Sequence, residues 1–247
     1  MENLRTTVSR IVASSLPLEQ KIAQLKDLKL TKSDIQQLLY KEIAQEEERK
    51  VHAKGEEKIK RFRLSHQTPN NTLMALAIRQ PWATLVASGI KDVELRDKMI
   101  PPCDRFLVVA SKYRERTPLE QILSDEQYAA VKPYLDNKTL PPLKEWPTGA
   151  IIGWVDIAEV TYNDINSIWA LGHIGIKYVL KNAHMFNQPI YEGMKATPIF
   201  YKVDNLTIEN LPPSRVVTNR IAAGDNSNAG GTHRGINQII ITEIEPV

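Results

Sequence analysis

The pattern of apolar and polar positions changes character near residue 70. Before that point apolar residues recur at helical spacing. Ile11 to Leu16 follows a short amphipathic stretch. Pro17 suits the first turn of a second helix, whose Ile22, Leu25 and Leu28 share one face. Thr31 or Ser33 is placed to cap a third, with Ile35, Leu38, Leu39 and Ile43 aligned. From Glu46 to Arg63 nearly every position is charged, which predicts a helix that is solvated, bridging or only marginally stable. A polar Pro/Asn cluster, Gln67 to Asn71, reads as the linker that ends this region.

Past residue 71 short strands take over. Leu73 to Ile78 predicts a strand, and Trp82 to Ser88 a helix that Pro81 opens and Gly89 stops. Val93 to Leu95 predicts a second strand. Phe106 to Ala110 is an unbroken apolar run, hence a buried strand. Leu119 to Tyr134 reads as one helix, with Thr117 and Pro118 as cap and first turn. Ala150 to Val160 carries the strongest strand pattern. Ser167 to Leu171 reads as a turn of helix, Tyr178 to Leu180 as a strand, Asn187-Gln188-Pro189 as a loop and Pro198 to Val203 as a strand. Ile236 to Ile244 predicts a last strand, after a Gly/Asn/Ser-rich stretch of mobile composition, Ala223 to Gly235. Many short strands with a few inserted helices predict an α+β domain with a curled, barrel-like sheet.

Composition narrows the function classes. The 247 residues are 42% hydrophobic and 25% charged, enough to build a packed core. A mean hydropathy of -0.32 and the lack of a long apolar run predict no spanning helix and no membrane partner. MENLRTTVSR lacks the apolar stretch of a secretory signal, so an intracellular, cytoplasmic chain is expected. Cys103 is the only cysteine, which excludes a disulfide framework and paired-thiolate zinc sites. His173, His184 and His233 lack ligand spacing, so neither metal nor cofactor is expected. There is no G-x-S-x-G elbow and no phosphate-cradling glycine loop. Cys103 follows Pro101-Pro102 with no paired histidine and reads as an unreactive thiol.

The net charge of +3 is too small to name a nucleic-acid binder by itself. Its distribution adds a little. Residues 1–70 hold 14 Lys+Arg against 10 Asp+Glu, and the remainder 18 against 19. Lys58, Lys60, Arg61 and Arg63 crowd the end of the charged helix. That segment is open to three readings: a solvated spacer, a helix through which residues 1–63 meet a second copy or a protein partner, or a basic arm for nucleic acid.

Residues 77–111 read AIRQPWATLVASGIKDVELRDKMIPPCDRFLVVAS. This stretch resembles the ASCH domain family. The resemblance rests on Gln80-Pro81-Trp82-Ala83 opening a helix, on Gly89-Ile90-Lys91 followed by Val93-Glu94 and Arg96, and on a strand ending at Ala110-Ser111. Pro147 to Gly153, and Tyr178 to Pro189 followed by Gly193, resemble later family segments. The QPWA and GIK-x-VE-x-R pieces are most similar to the transcription-coactivator branch. The resemblance covers residues 72–205. It implies a PUA-like β-barrel there; the helical segment over 1–70 and a C-terminal extension over 206–247 lie outside it. It also implies a cleft beside the barrel that binds RNA or DNA.

The motif residues have a physical reading of their own. Residues two apart on a strand share a face, so Glu94 and Arg96 point the same way, with Lys91 in the turn before them. Glu94 is placed to pair with Arg96 or with Lys91. The alternative is a surface pair worth at most about 1 kcal/mol. Arg79 and Gln80 flank the same strand end and are candidates for phosphate or base contact, as are Ser111 and Lys112. Arg114 and Arg116 extend that rim. Trp82 is either core packing or a stacking surface.

Some relatives resemble amidohydrolases that use a lysine and a hydroxyl nucleophile three positions later. Lys91 matches the lysine, but Glu94 stands where the hydroxyl belongs. That departure counts against this mechanism. Lys91 and Glu94 remain candidates for acid-base cleavage of RNA, which supplies its own 2′-hydroxyl. Nucleic-acid binding with RNA ahead of DNA is therefore the leading expectation. A metal-independent ribonuclease or modified-nucleoside hydrolase is the alternative, and a helical protein adaptor the third.

Overall fold

A computed structural model describes residues 4–66, 73–191, 200–203 and 206–218. The linker cluster, the glycine-rich stretch and the expected strand at 236–244 lie outside the described residues. Two compact units divide the chain, Met1–Glu57 and Lys58–Val247. Among the described residues no helix is long and apolar enough to cross a membrane.

The first unit is helical. α1 (Leu4–Ala13), α2 (Leu18–Asp27), α3 (Lys32–Leu38) and the start of α4 (Tyr40–Ser65) bury Ile11, Leu25, Ile35 and Leu39 together. Pro17 takes the position just before α2 rather than its first turn. Thr31 is the cap of α3: its Oγ1 accepts from the Asp34 N–H at 3.2 Å, and Asp34 returns the bond. The helix expected over Ile35 to Ile43 is interrupted at Leu39, where α3 ends and α4 begins, yet Ile35, Leu39 and Ile43 still pack together while Leu38 is exposed. Lys21 is buried, and its ammonium donates to the Val12 carbonyl and the Glu42 carboxylate, both at 2.9 Å.

The second unit is a curled mixed half-barrel. Its strands are β1 (Met74–Ile78), β2 (Val93–Arg96), β3 (Arg105–Ala110), β4 (Ala150–Thr161), β5 (Ile176–Ile190), β6 (Phe200–Lys202) and β7 (Ser214–Arg215). The order is β2-β5-β4-β3-β1-β6, with β7 on β5. Among the described residues only β1 and β3 pair in parallel. A parallel neighbour needs a crossover. Here it carries α5 (Trp82–Ala87) and β2 back across the sheet. α5 buries Ala83, Val86 and Ala87 against Leu76, Phe106, Val108 and Ile152. Ala75, Leu107, Val109 and Ile151 face the other side, where Phe186 and Tyr201 cover them. The apolar run of β3 is thus buried on both faces, as its composition requires.

Three expectations need correction. β5 does not stop before Asn187-Gln188-Pro189 but runs through them to Ile190. The register jumps here, from Gly153↔Met185 to Ile151↔Ile190. The bulged residues are outside the ladder, so Pro189 forfeits no hydrogen bond with β4. The helix expected over 119–134 is two helices, α6 (Leu119–Ile122) and α7 (Asp125–Asp136). Ser124 breaks it by capping α7, accepting from the Gln127 N–H at 3.2 Å while the Gln127 side chain caps Ser124 in return. Residues 167–171 form a hydrogen-bonded turn, not a helix.

On β3, β4 and β5 a half-buried stack projects from the sheet. The Arg105 guanidinium lies 3.7 Å from the Trp154 ring centre, and the His184 ring stacks on Trp154 at 4.0 Å. Asp156 takes Arg105 Nε–H at 2.6 Å and Asn182 Nδ2–H at 3.0 Å.

Candidate functional site

The site begins where β1 ends. Arg79 leaves the strand exposed to solvent, while Gln80 turns inward and is almost fully buried. The Gln80 carbonyl oxygen accepts the Thr84 N–H at 3.1 Å. Its amide donates to Thr84 Oγ1 at 2.8 Å and to the Pro147 carbonyl at 2.7 Å. The first two bonds hold Gln80 on the start of α5, and the third ties it to the loop before β4. Gln80, a candidate for phosphate or base contact, is buried with both ends of its amide bonded inside the fold.

α5 then turns into β2 through Gly89, whose φ of +74° is the left-handed conformation that glycine adopts without strain. The reversal brings Lys91 back under α5, where its N–H donates to the Leu85 carbonyl at 2.8 Å. The Lys91 ammonium donates to the Val93 carbonyl and to Glu94 Oε2, the latter at 3.0 Å. Both side chains are under 10% exposed. Arg96 Nη1 stands 3.9 Å from the other Glu94 oxygen, with a quarter of its side chain in solvent. Glu94 therefore bridges a buried ammonium and a guanidinium at the surface. Desolvating such a pair is costly, and its geometry is kept only if the remaining hydrogen bonds are made.

These side chains line a cavity of about 660 Å³, together with Arg79, Trp82 and Trp169. The two indoles meet edge to face, 6.2 Å between centres at 81°. Trp82 is half-buried and packs on the core, so it serves both as packing and as cavity wall. Trp169 is the residue that sequence reasoning missed. Its indole N–H is buried and has no hydrogen-bond partner among the described residues. That is a cost of about 1–3 kcal/mol unless something meets it. The turn that carries it is held from two sides. Ser167 Oγ donates to Asp92 at 2.6 Å and accepts the backbone N–H of Trp169 at 3.2 Å. Gln127 Nε2 donates to the Ile168 carbonyl at 2.9 Å. No local signal in the sequence marks Trp169; its place depends on Ser167, Gln127 and Trp82.

The remaining candidates lie beside the cavity rather than in it. Ser111 continues β3, and its N–H donates to the Ile78 carbonyl at 2.8 Å; its hydroxyl is buried without a partner. Lys112 is exposed on the loop that follows. Arg114 is tied down, donating to the Lys144 carbonyl at 2.6 Å and Thr148 Oγ1 at 3.3 Å. Cys103 is elsewhere, under Ile100 and Tyr178, and burial pushes its thiol up to about 12. A thiol held protonated in this way is no nucleophile.

The model of the ASCH domain family matches residues 76–211, more than half of the chain. No curated protein matches it. The crystal structure of ASCH from Zymomonas mobilis is 12% identical with a TM-score of 0.35, over 55% of this chain and 90% of that one. A serine-to-alanine mutant of that protein scores 0.34 at 12% identity over 56% and 92%. A tyrosine-to-phenylalanine mutant scores 0.33 at 12% identity over 53% and 90%.

Proposed function

Because the chain belongs to the ASCH domain family, we propose that it binds nucleic acid, RNA ahead of DNA, in the cavity beside its half-barrel. One observation carries the reading. The cavity wall joins two indole rings to two arginines and a buried Lys91–Glu94 pair. Indole faces take bases of any sequence, and arginines at the rim take phosphate. The unpartnered Trp169 N–H offers a donor to a base acceptor. RNA is favoured because its loops and ends splay bases out of the stack, where a cavity reaches them. The resemblance of residues 80–83 and 89–96 to the transcription-coactivator branch is in keeping with a nucleic-acid partner. In this reading Arg79, Arg96 and Lys112 meet phosphate, Trp82 stacks, Lys91 and Glu94 fix Arg96, and Gln80 and Ser111 hold the strand ends beside the cavity. The charged helix over 58–63 adds phosphate affinity without sequence preference.

The buried Lys91–Glu94 pair also supports a second reading, acid-base cleavage of the strand it binds. One experiment separates the two. The full chain is incubated in chelator with end-labelled single-stranded RNA, DNA of the same sequence and duplex DNA, at low and moderate salt. Native and denaturing gels are run side by side. A salt-sensitive shift with intact strands, strongest for RNA, is the expected result. Shortened RNA would replace binding by catalysis, and no shift with any probe would overturn the proposal.

A further inference from the structure

Next to the cavity an aromatic side chain stands out in a basic loop. β1 and β3 run parallel and end together, so Arg79 after one and Ser111 to Arg116 after the other leave the sheet at the same end. Arg79 lines the cavity, and its guanidinium also sits 5.3 Å from the centre of the Tyr113 ring. Tyr113 is nevertheless 50% exposed. Lys112, Arg114 and Arg116 around it are exposed as well.

The loop is built rather than loose. Arg114 anchors it to Lys144 and Thr148. Glu115 accepts the N–H groups of Arg116 and Thr117, each at 2.8 Å, and the Tyr113 hydroxyl at 3.3 Å. Tyr113 is thus held at the surface, with a guanidinium against its ring and half of the side chain in solvent. An aromatic ring in that position is an open stacking surface, and the cation beside it favours an electron-rich partner.

We propose that Tyr113 and Arg79 form a stacking step for the nucleotide next to the one in the cavity, so that the protein takes an unpaired strand of two or more nucleotides. This rests on the reading that a nucleotide occupies the cavity. Arg79 serves both positions, and the phosphate between the two nucleotides is the anion it meets. Lys112 and Arg116 continue the phosphate track. In a duplex both faces of each base are covered by its neighbours, so Tyr113 selects against paired strands.

The test uses the full chain with two probes: a six-nucleotide single-stranded RNA of mixed sequence, and a mixture of nucleoside 5′-monophosphates as competitor. Tyr113→Ala is expected to weaken the hexanucleotide about tenfold and leave the monophosphates unchanged. Tyr113→Trp restores the wild-type value. Arg96→Ala, inside the cavity, weakens both probes. If Tyr113→Ala binds the hexanucleotide as wild type does while Arg96→Ala does not, the stacking step is wrong and the cavity reading stands. Equal weakening of both probes by Tyr113→Ala also overturns it. If wild type binds neither probe, the cavity reading fails and this inference with it.

Discussion

Two places in the half-barrel gather the same residue types and put them to opposite use. Around Trp154 an arginine, an indole and an imidazole are stacked into a closed sandwich. Its polar atoms are answered: Arg105 and Asn182 by Asp156, His184 by Ser214 at 3.2 Å. Around Trp82 and Trp169 indoles and arginines instead line an open cavity of about 660 Å³. There an indole N–H has no partner, and the nearest ion pair of Arg96 is 3.9 Å long. A satisfied stack has no free energy left to offer a ligand, whereas an unsatisfied wall gains from one. Residue type alone does not distinguish the two sites; the state of their hydrogen bonds does.

The largest effect expected is at the pair that holds the open site. Lys91→Met leaves Glu94 buried with only the distant Arg96, and should lower the unfolding free energy by about 3 kcal/mol in denaturant titration. Lys91→Met combined with Glu94→Leu should recover most of that stability without recovering RNA binding. Recovery of both would mean that the pair serves folding alone, and the contrast between the two sites would weaken.

Next come two variants that exchange roles. Trp154→Ala removes the centre of the closed stack and should cost about 2 kcal/mol, less than a full core truncation because the ring is half-buried. RNA affinity should not change. Arg96→Ala should do the reverse: about tenfold weaker binding in a fluorescence titration, with a stability loss under about 1 kcal/mol. Loss of RNA binding in Trp154→Ala would break the comparison.

A smaller effect belongs to Ser167. Its hydroxyl joins the Trp169 turn to Asp92, beside Lys91. Ser167→Ala should cost about 1 kcal/mol and weaken RNA a few-fold through a loosened Trp169. Unchanged binding would remove Trp169 from the recognition surface.

How far the sequence carries the reader differs between fold and site. Local signals were sufficient for α5, β2, β3 and β4, because Pro81, Gly89 and the apolar runs are strong and short-ranged. They failed at β5, where pairing with β4 and β7 overrides a loop-like Asn-Gln-Pro. Glu94 and Arg96 were legible as a pair from strand periodicity. The burial of Gln80 is not legible locally, because it depends on Pro147, 67 residues away. Trp169 was invisible for the same reason: what makes it part of the site is a contact with Trp82, which no local pattern encodes.

The smallest effect is a pH dependence, and it probes the closed stack from within. Burial lowers the affinity of His184 for a proton, and the Arg105 guanidinium adds to this, with Asp156 opposing. Trp154 and Ser214 are its other neighbours. The unfolded chain takes up a proton near the ordinary value of 6.5, the folded one only at lower pH. Between those values the unfolded state holds more protons, so stability falls as pH drops below about 6.5. His184→Phe keeps an aromatic ring on Trp154 and removes the titration. Its melting temperature should therefore decline less steeply than that of wild type from about pH 6.5 to about 5. An equal slope would mean that the stack accepts imidazolium without penalty, and that it is less closed than its hydrogen bonds imply.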